Sequence, residues 1–125
     1  MNHSQIHKDK RGVISLLTGL KVFPEVTIFE TKKGCARGGC VHENSDEFCC
    51  VIEGKVLYYV GDKLLYYVND IEHTLLAGDC IVVPKSTPHY FIAVEDSVVM
   101  EWGPTPEEKR LKYKPFRDIV ESINS

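Results

Sequence analysis

No apolar run in this sequence approaches the ~20 residues that a membrane-spanning helix requires. The longest, such as Val56 to Val60 and Cys80 to Val83, are far shorter, and the polar N-terminus has no apolar core of the kind that opens a secretory signal. These absences predict a chain with no membrane partner and a cytoplasmic location. Positive charge is not in excess either: the net charge is −3 at pH 7 and the sequence pI about 5.9, so nothing draws the chain to a phosphate backbone or an anionic lipid surface. Nucleic acid is therefore not an expected partner.

A paired cysteine pattern is also missing. The five cysteines, Cys35, Cys40, Cys49, Cys50 and Cys80, are odd in number and contain no C-x-x-C, which argues against a disulfide framework and against a zinc ribbon. Reduced and mostly buried thiols are the expectation. There is no internal repeat, low-complexity tract or linker, and 125 residues suffice for one core without staples. One domain is expected, bounded by an N-terminal arm over 1–11 and a C-terminal helical segment over 104–125.

Between those ends, over 12–103, short runs rich in β-branched and aromatic residues dominate. They are Val13–Leu17, Glu25–Thr31, Phe48–Ile52, Val56–Val60, Leu64–Val68, His73–Leu76, Cys80–Val83, Tyr90–Val94 and Ser97–Trp102. Turn chemistry separates them, for example Lys33-Gly34, Glu53-Gly54, Gly61-Asp62, Asn69-Asp70 and Ala77-Gly78-Asp79. Many short strands with regular turns predict an all-β sandwich or barrel. Toward the end, Thr105-Pro106-Glu107-Glu108 reads as a helix cap, and Phe116, Ile119, Val120 and Ile123 recur at helical spacing. One short helix and one amphipathic helix are expected to cover the barrel.

Residues able to do chemistry concentrate in Gly34-Cys-Ala-Arg-Gly-Gly-Cys40-Val-His42-Glu-Asn-Ser-Asp-Glu47. Alternation along a strand points Cys40 and His42 the same way, and a turn through Asn44 to Asp46 returns Glu47 beside them. Gly78, Pro84 and His89 place another imidazole at the start of a later strand, and barrel closure brings it opposite the first set. Strict alternation puts Arg37 on the face opposite Cys40, unless Gly38-Gly39 forms a bulge. A carboxylate such as Glu47 inside an apolar barrel is costly unless paired or metal-bound. By contrast His73 reads as an ordinary hydrogen-bonded strand residue, and His3 and His7 belong to the polar tail.

The two segments resemble the paired motifs of the cupin superfamily. Gly34, His42, Glu47 and Gly54 fit the first motif, with Cys40 where its first His belongs. Gly78, Pro84 and His89 fit the second, with Ser86 in place of a Gly and Ala93 in place of an Asn. The resemblance covers roughly residues 12–102 and implies a cupin-type jelly-roll β-barrel with short C-terminal helices, and a homodimer. It also implies one divalent metal ion, zinc, iron, manganese or nickel, held by Cys40, His42, Glu47 and His89; without the thiol, His42, Glu47 and His89 remain as a two-His-one-carboxylate set.

A narrower resemblance lies in Asp9-Lys10-Arg11-Gly12 and Arg37-Gly38-Gly39, which look like the cupins that epimerise or isomerise nucleotide-linked keto-deoxysugars without metal. It implies a carbohydrate substrate, His42 as the base that takes a proton next to the ketone, and His89 or a tyrosine, Tyr58 or Tyr90, returning it. Arg11 and Arg37 would then hold the phosphates, Arg37 through its planar fork. Glu47 departs from that branch, where a Gln is expected, as do Cys40 and the C-terminal helices. Two other readings stand beside it: a metal-dependent cupin of another class, an oxygenase or metal-assisted sugar isomerase, and a small-molecule-binding cupin without turnover.

Overall fold

The computed structural model describes residues 2–19, 25–62, 69–105 and 107–125. Eleven strands and one helix are found among them, with β1 at Asn2–Asp9, β2 at Gly12–Thr18, β3 at Glu25–Thr31, β4 at Ala36–Val41, β5 at Glu47–Glu53 and β6 at Lys55–Asp62. Next come β7 at Asn69–Leu76, β8 at Cys80–Val83, β9 at His89–Ala93, β10 at Ser97–Trp102, β11 at Leu111–Lys112 and α1 at Lys114–Asn124. The strands form two antiparallel sheets, in the orders β1-β2-β3-β10-β5-β8 and β11-β4-β9-β6-β7. Hydrophobic alternation turns one face of each toward the other. Phe29, Cys49, Val51, Val83 and Val99 from the first sheet pack against Val56, Tyr58, Val60, Leu75 and Phe91 from the second. This is the expected jelly-roll barrel.

A second, smaller core lies outside the five-stranded sheet. Phe116 and Val120 of α1, with Ile123 beside them, cover Ala36 and Tyr90. The spacing i, i+4, i+7 places these on one helix face, as the sequence pattern predicts. Helix and strand are also stitched by polar bonds: the Asn124 side chain accepts from Ala36 N and donates to Ala36 O, both at 2.8 Å.

Four expectations need correction or completion. The arm at the N-terminus is strand β1, hairpinned onto β2, because Asp9 to Gly12 forms a tight turn and the arm's backbone groups find partners there. The short helix expected after Thr105 is a turn, in which Glu108 N donates to Thr105 O at 3.1 Å; Pro106 lies outside the described residues, and α1 is the one helix described. Cys50 and Cys80 are not reduced thiols: directly opposite each other on β5 and β8, they form a disulfide. Strand parity does not say which strands are neighbours, and the odd count hid an even subset. The run Leu64–Val68, with Tyr66 and Tyr67, lies outside the described residues.

Candidate active site and metal centre

The bulge allowed for at Gly38-Gly39 is present, and it shapes the site. Across the β4/β9 pair Gly38 faces Tyr90 while Cys40 faces His89, so Gly39 is the extra residue. Both glycines have positive φ, 114° and 89°, and a side chain at Gly39 would collide with the backbone of Arg117 in α1. One added residue reverses the alternation. Arg37 and Cys40 consequently line the same cavity, of about 330 Å³, together with His42, Glu47, His89 and Glu101. A neighbouring cavity of about 510 Å³ reaches His42, Glu47 and Glu101 from another side.

At the bottom, Glu47 is clamped between two imidazoles. His42 Nε2 lies 3.0 Å from Glu47 Oε2 and His89 Nε2 2.7 Å from Oε1, with all three side chains buried. β5 delivers Glu47, β9 delivers His89, and His42 follows the end of β4. Burial alone would raise the Glu47 carboxyl, but the hydrogen bonds from His42 and His89 prevail and hold it well below the usual carboxylate range. Burial likewise disfavours charge on His89; its bond to Glu47 and that neighbour's charge outweigh it and leave the imidazole raised. His42 Nδ1 is buried and has no partner.

A further acid completes the floor. Glu101, on β10, accepts a 2.8 Å hydrogen bond from the Tyr58 hydroxyl, and burial together with the adjacent Glu47 charge pushes its carboxyl up to about 8. Two neighbouring carboxyl groups thus carry opposite tendencies, one ionised and one protonated. Sequence reasoning missed Glu101, although a signal was there: it is the one charged residue in Ser97–Trp102 and shares the inward parity of Val99.

Donor atoms of Glu47, His89 and Glu101 all lie within 4.8 Å of one another. Two carboxylates so close repel unless a proton or a cation sits between them, and imidazole nitrogen with carboxylate oxygen suits a divalent ion of the zinc, iron, manganese or nickel kind. His89 Nδ1 lies 3.4 Å from the Thr87 carbonyl, an arrangement that leaves Nε2 for the cluster. The residues present fit a metal.

The other expected site residues divide. Cys40 lines the cavity but is outside that donor group, and burial raises its thiol even though Arg110 and Arg117 pull the other way, so a stabilised thiolate is not what the structure holds. Tyr58, expected to touch substrate, is 0% exposed, stacked parallel to His89 at 6.0 Å and to Phe91 at 5.8 Å; it supports the site from behind. Tyr90, expected to be catalytic, points to the opposite face of the sheet, under Phe116, because it is one residue out of phase with His89. Arg11 reaches the cavity rim yet grips Asp9, with Nη2 to Oδ2 at 2.7 Å. Arg37 spends Nε on Thr31 Oγ1 at 2.8 Å and Nη2 on the Glu30 carbonyl at 3.2 Å, which withdraws the fork expected to grip a diphosphate. Its Nη1 is buried without a partner. Ser86, standing where the motif has Gly, adopts the left-handed φ of 62° that the Gly would supply.

Two antiparallel sheets packed as a jelly roll, with a histidine and carboxylate cluster on the inner wall, define the barrels in which one site sits inside the β-sandwich. The family model described as "Cupin domain" matches residues 28–102, and the chain belongs to the cupin family. Among solved structures, it is similar to the capsular polysaccharide assembling protein CapF from Staphylococcus aureus, with TM-score 0.72 and 16% identity over 90% of this chain and 32% of that one. It is also similar to vicilin from hazelnut, Corylus avellana, with TM-score 0.73 and 16% identity over 87% of this chain and 34% of that one. Drosophila melanogaster CENP-C bound to CAL1 aligns with TM-score 0.63 and 15% identity, over 78% of this chain and 74% of that one. The chain thus spans about a third of the CapF and vicilin chains, and at these identities the likeness is one of fold. A search of curated proteins returns no match.

Proposed function

We propose that this cupin is an enzyme that isomerises or epimerises a small keto-carbohydrate, moving a proton off and back onto carbon next to the carbonyl. The observation that carries this reading is the Glu47 carboxylate clamped by His42 and His89, with His42 Nδ1 left over. When His42 donates Nε2–H to Glu47, its lone pair is on Nδ1, and the carboxylate both orients the ring and stabilises the imidazolium formed as the proton arrives. When no ion is bound, the proton returns from His89, on the strand beside β4, or from the protonated Glu101 on the facing sheet.

Glu47, His89 and Glu101 are the residues that would hold a divalent ion, which would supply Lewis acidity to a carbonyl oxygen. Phe29 and Phe91 give that end of the cavity an apolar lining, and a low-dielectric lining strengthens the charge interactions beside it. The likeness to CapF supports a carbohydrate over other carbonyl compounds. Asp9-Lys10-Arg11-Gly12 and Arg37-Gly38-Gly39 make nucleotide-linked keto-deoxysugars the first substrates to try. The homodimer that the cupin resemblance implies belongs to the same reading, and sedimentation equilibrium tests it.

The deciding experiment follows deuterium uptake from heavy water by NMR. A substrate should gain deuterium next to its ketone, and His42→Asn should slow this by roughly 10²–10⁴-fold with the fold retained. A chelator that abolishes exchange, restored by one added divalent metal, supports the metal centre at Glu47, His89 and Glu101. Absence of exchange across a panel of keto-sugars, in folded and metal-loaded protein, overturns the enzymatic reading.

A further inference from the structure

The chain is acidic overall, yet one mouth of the barrel is strongly basic. Arg11, Arg37, Arg110, Lys112 and Arg117 all line the cavity of about 330 Å³. Three of the five have partners that explain them: Arg11 holds Asp9, Arg117 donates to the Gly38 carbonyl at 2.7 Å, and Arg37 is bonded to Thr31 and Glu30. Arg110 and Lys112 have no carboxylate partner among the described residues, and Arg37 keeps Nη1 unpaired although the residue is 2% exposed. A buried guanidinium N–H left open is costly, so Nη1 is a donor that a ligand oxygen reaching this wall would satisfy.

The C-terminal segment brings the other two cations there. β11 pairs with the end of β4, Lys112 opposite Cys40, and Tyr113 N donates to the Gly39 carbonyl at 2.8 Å, so Arg110 and Lys112 are held over the bulge that turns Arg37 inward. The cavity's inner end is the acid and imidazole cluster; its outer end is cationic. The neighbouring mouth shares Arg110 but carries Glu25 and Glu108 beside it and none of the other four cations.

We infer that β11 and the residue before it complete an anion-binding subsite with Arg37, and that the ligand carries a phosphate group at the end remote from its reacting carbon. Arg37 offers its one open edge from the wall while Arg110 and Lys112 close on the phosphate from the rim. The inference rests on the proposed keto-carbohydrate reading only for what happens at the other end of the ligand. A cavity of about 330 Å³ is at the small end of ligand sites, of size for a phosphorylated monosaccharide, so any nucleotide portion would lie outside it.

Isothermal titration of the whole chain with inorganic pyrophosphate, glucose 6-phosphate, uridine diphosphate and neutral glucose tests this. The three phosphates should bind, glucose should not, and affinity should fall as salt rises. The Arg110→Ala/Lys112→Ala double variant should bind pyrophosphate several-fold more weakly, and Arg37→Met roughly 10- to 100-fold more weakly, with unchanged circular dichroism in the double variant. Glucose 6-phosphate as tight as uridine diphosphate supports a free sugar phosphate as the ligand; tighter uridine diphosphate supports a nucleotide-carried one. No binding of any phosphate, or binding unaltered in the double variant, overturns the subsite. Binding is read without turnover, so phosphate bound by protein that exchanges no deuterium leaves the subsite standing and removes only the enzymatic reading.

Discussion

The Tyr58 hydroxyl donates to Glu101 Oε1 at 2.8 Å while its ring lies parallel to that of His89, within 7°. One buried side chain thereby sets the direction of two groups in the donor cluster. Tyr58→Phe keeps the stacking and deletes only the hydrogen bond. Outer-shell partners of this kind are typically worth 10- to 100-fold in metal affinity. The variant should bind cobalt(II) that much more weakly, read from its visible absorption, and should remain folded; unchanged affinity would show that Glu101 needs no support.

Glu101 makes stability depend on pH with a definite sign. Its folded-state carboxyl titrates near 8, against an ordinary value of 4.5, so between these limits the native state holds a proton that the unfolded chain has lost. Each unit of rising pH in that window costs the native state up to about 1.4 kcal/mol, and below 4.5 the effect vanishes. Glu101→Gln removes the demand. In chelator-treated protein, urea unfolding should show the variant gaining on the parent as pH rises from about 4.5 to 8; parallel curves would contradict this assignment.

Cys50 and Cys80 close a loop with a sequence separation of 30 residues. On chain-entropy grounds this constrains the unfolded state by about 3.5 kcal/mol. Reduction with a dithiol, or the Cys50→Ser/Cys80→Ser double variant, should lower the urea midpoint accordingly. Both treatments should have the same effect, and a midpoint indifferent to reduction would mean the bond does not form in solution.

The β4 bulge tolerates nothing larger than glycine. In Gly39→Ala the new Cβ would sit 2.6 Å from Arg117 Cδ and 2.9 Å from Arg117 N, on a residue with φ of +89°. A loss of about 1–3 kcal/mol is expected from the backbone conformation alone. Hydrogen exchange should show α1 opening more often than in the parent, and wild-type protection of α1 would count against the bulge as its seat.

How much of this was legible in the sequence depended on whether the information was local. Strand runs such as Glu25–Thr31 and Cys80–Val83 coincide with the strands observed, since each carries its own pattern. Motif spacing brought His42, Glu47 and His89 together, and two adjacent glycines marked where a bulge would reverse the alternation. Partners distant in sequence were harder. Glu101 joins the cluster only because β10 lies beside β5, and Cys50 meets Cys80 only through the β5/β8 register. Arg110 and Lys112 were invisible as cavity-lining residues because β11 is two residues long and finds β4 by tertiary contact. Tyr90 was misassigned by one position, which in a strand is the difference between the two faces.

β8 is an outer strand of its sheet, with one side of its backbone unpaired and Val82 half exposed. Such a margin ordinarily invites another chain to add itself as the next strand, the first step toward aggregation. Here the strand is four residues long, ends at Pro84, and is bolted to its neighbour through Cys80. A newcomer would find too few backbone groups to extend along and a margin that cannot peel away to meet it, so solubility at high concentration should be governed by the redox state of that bond.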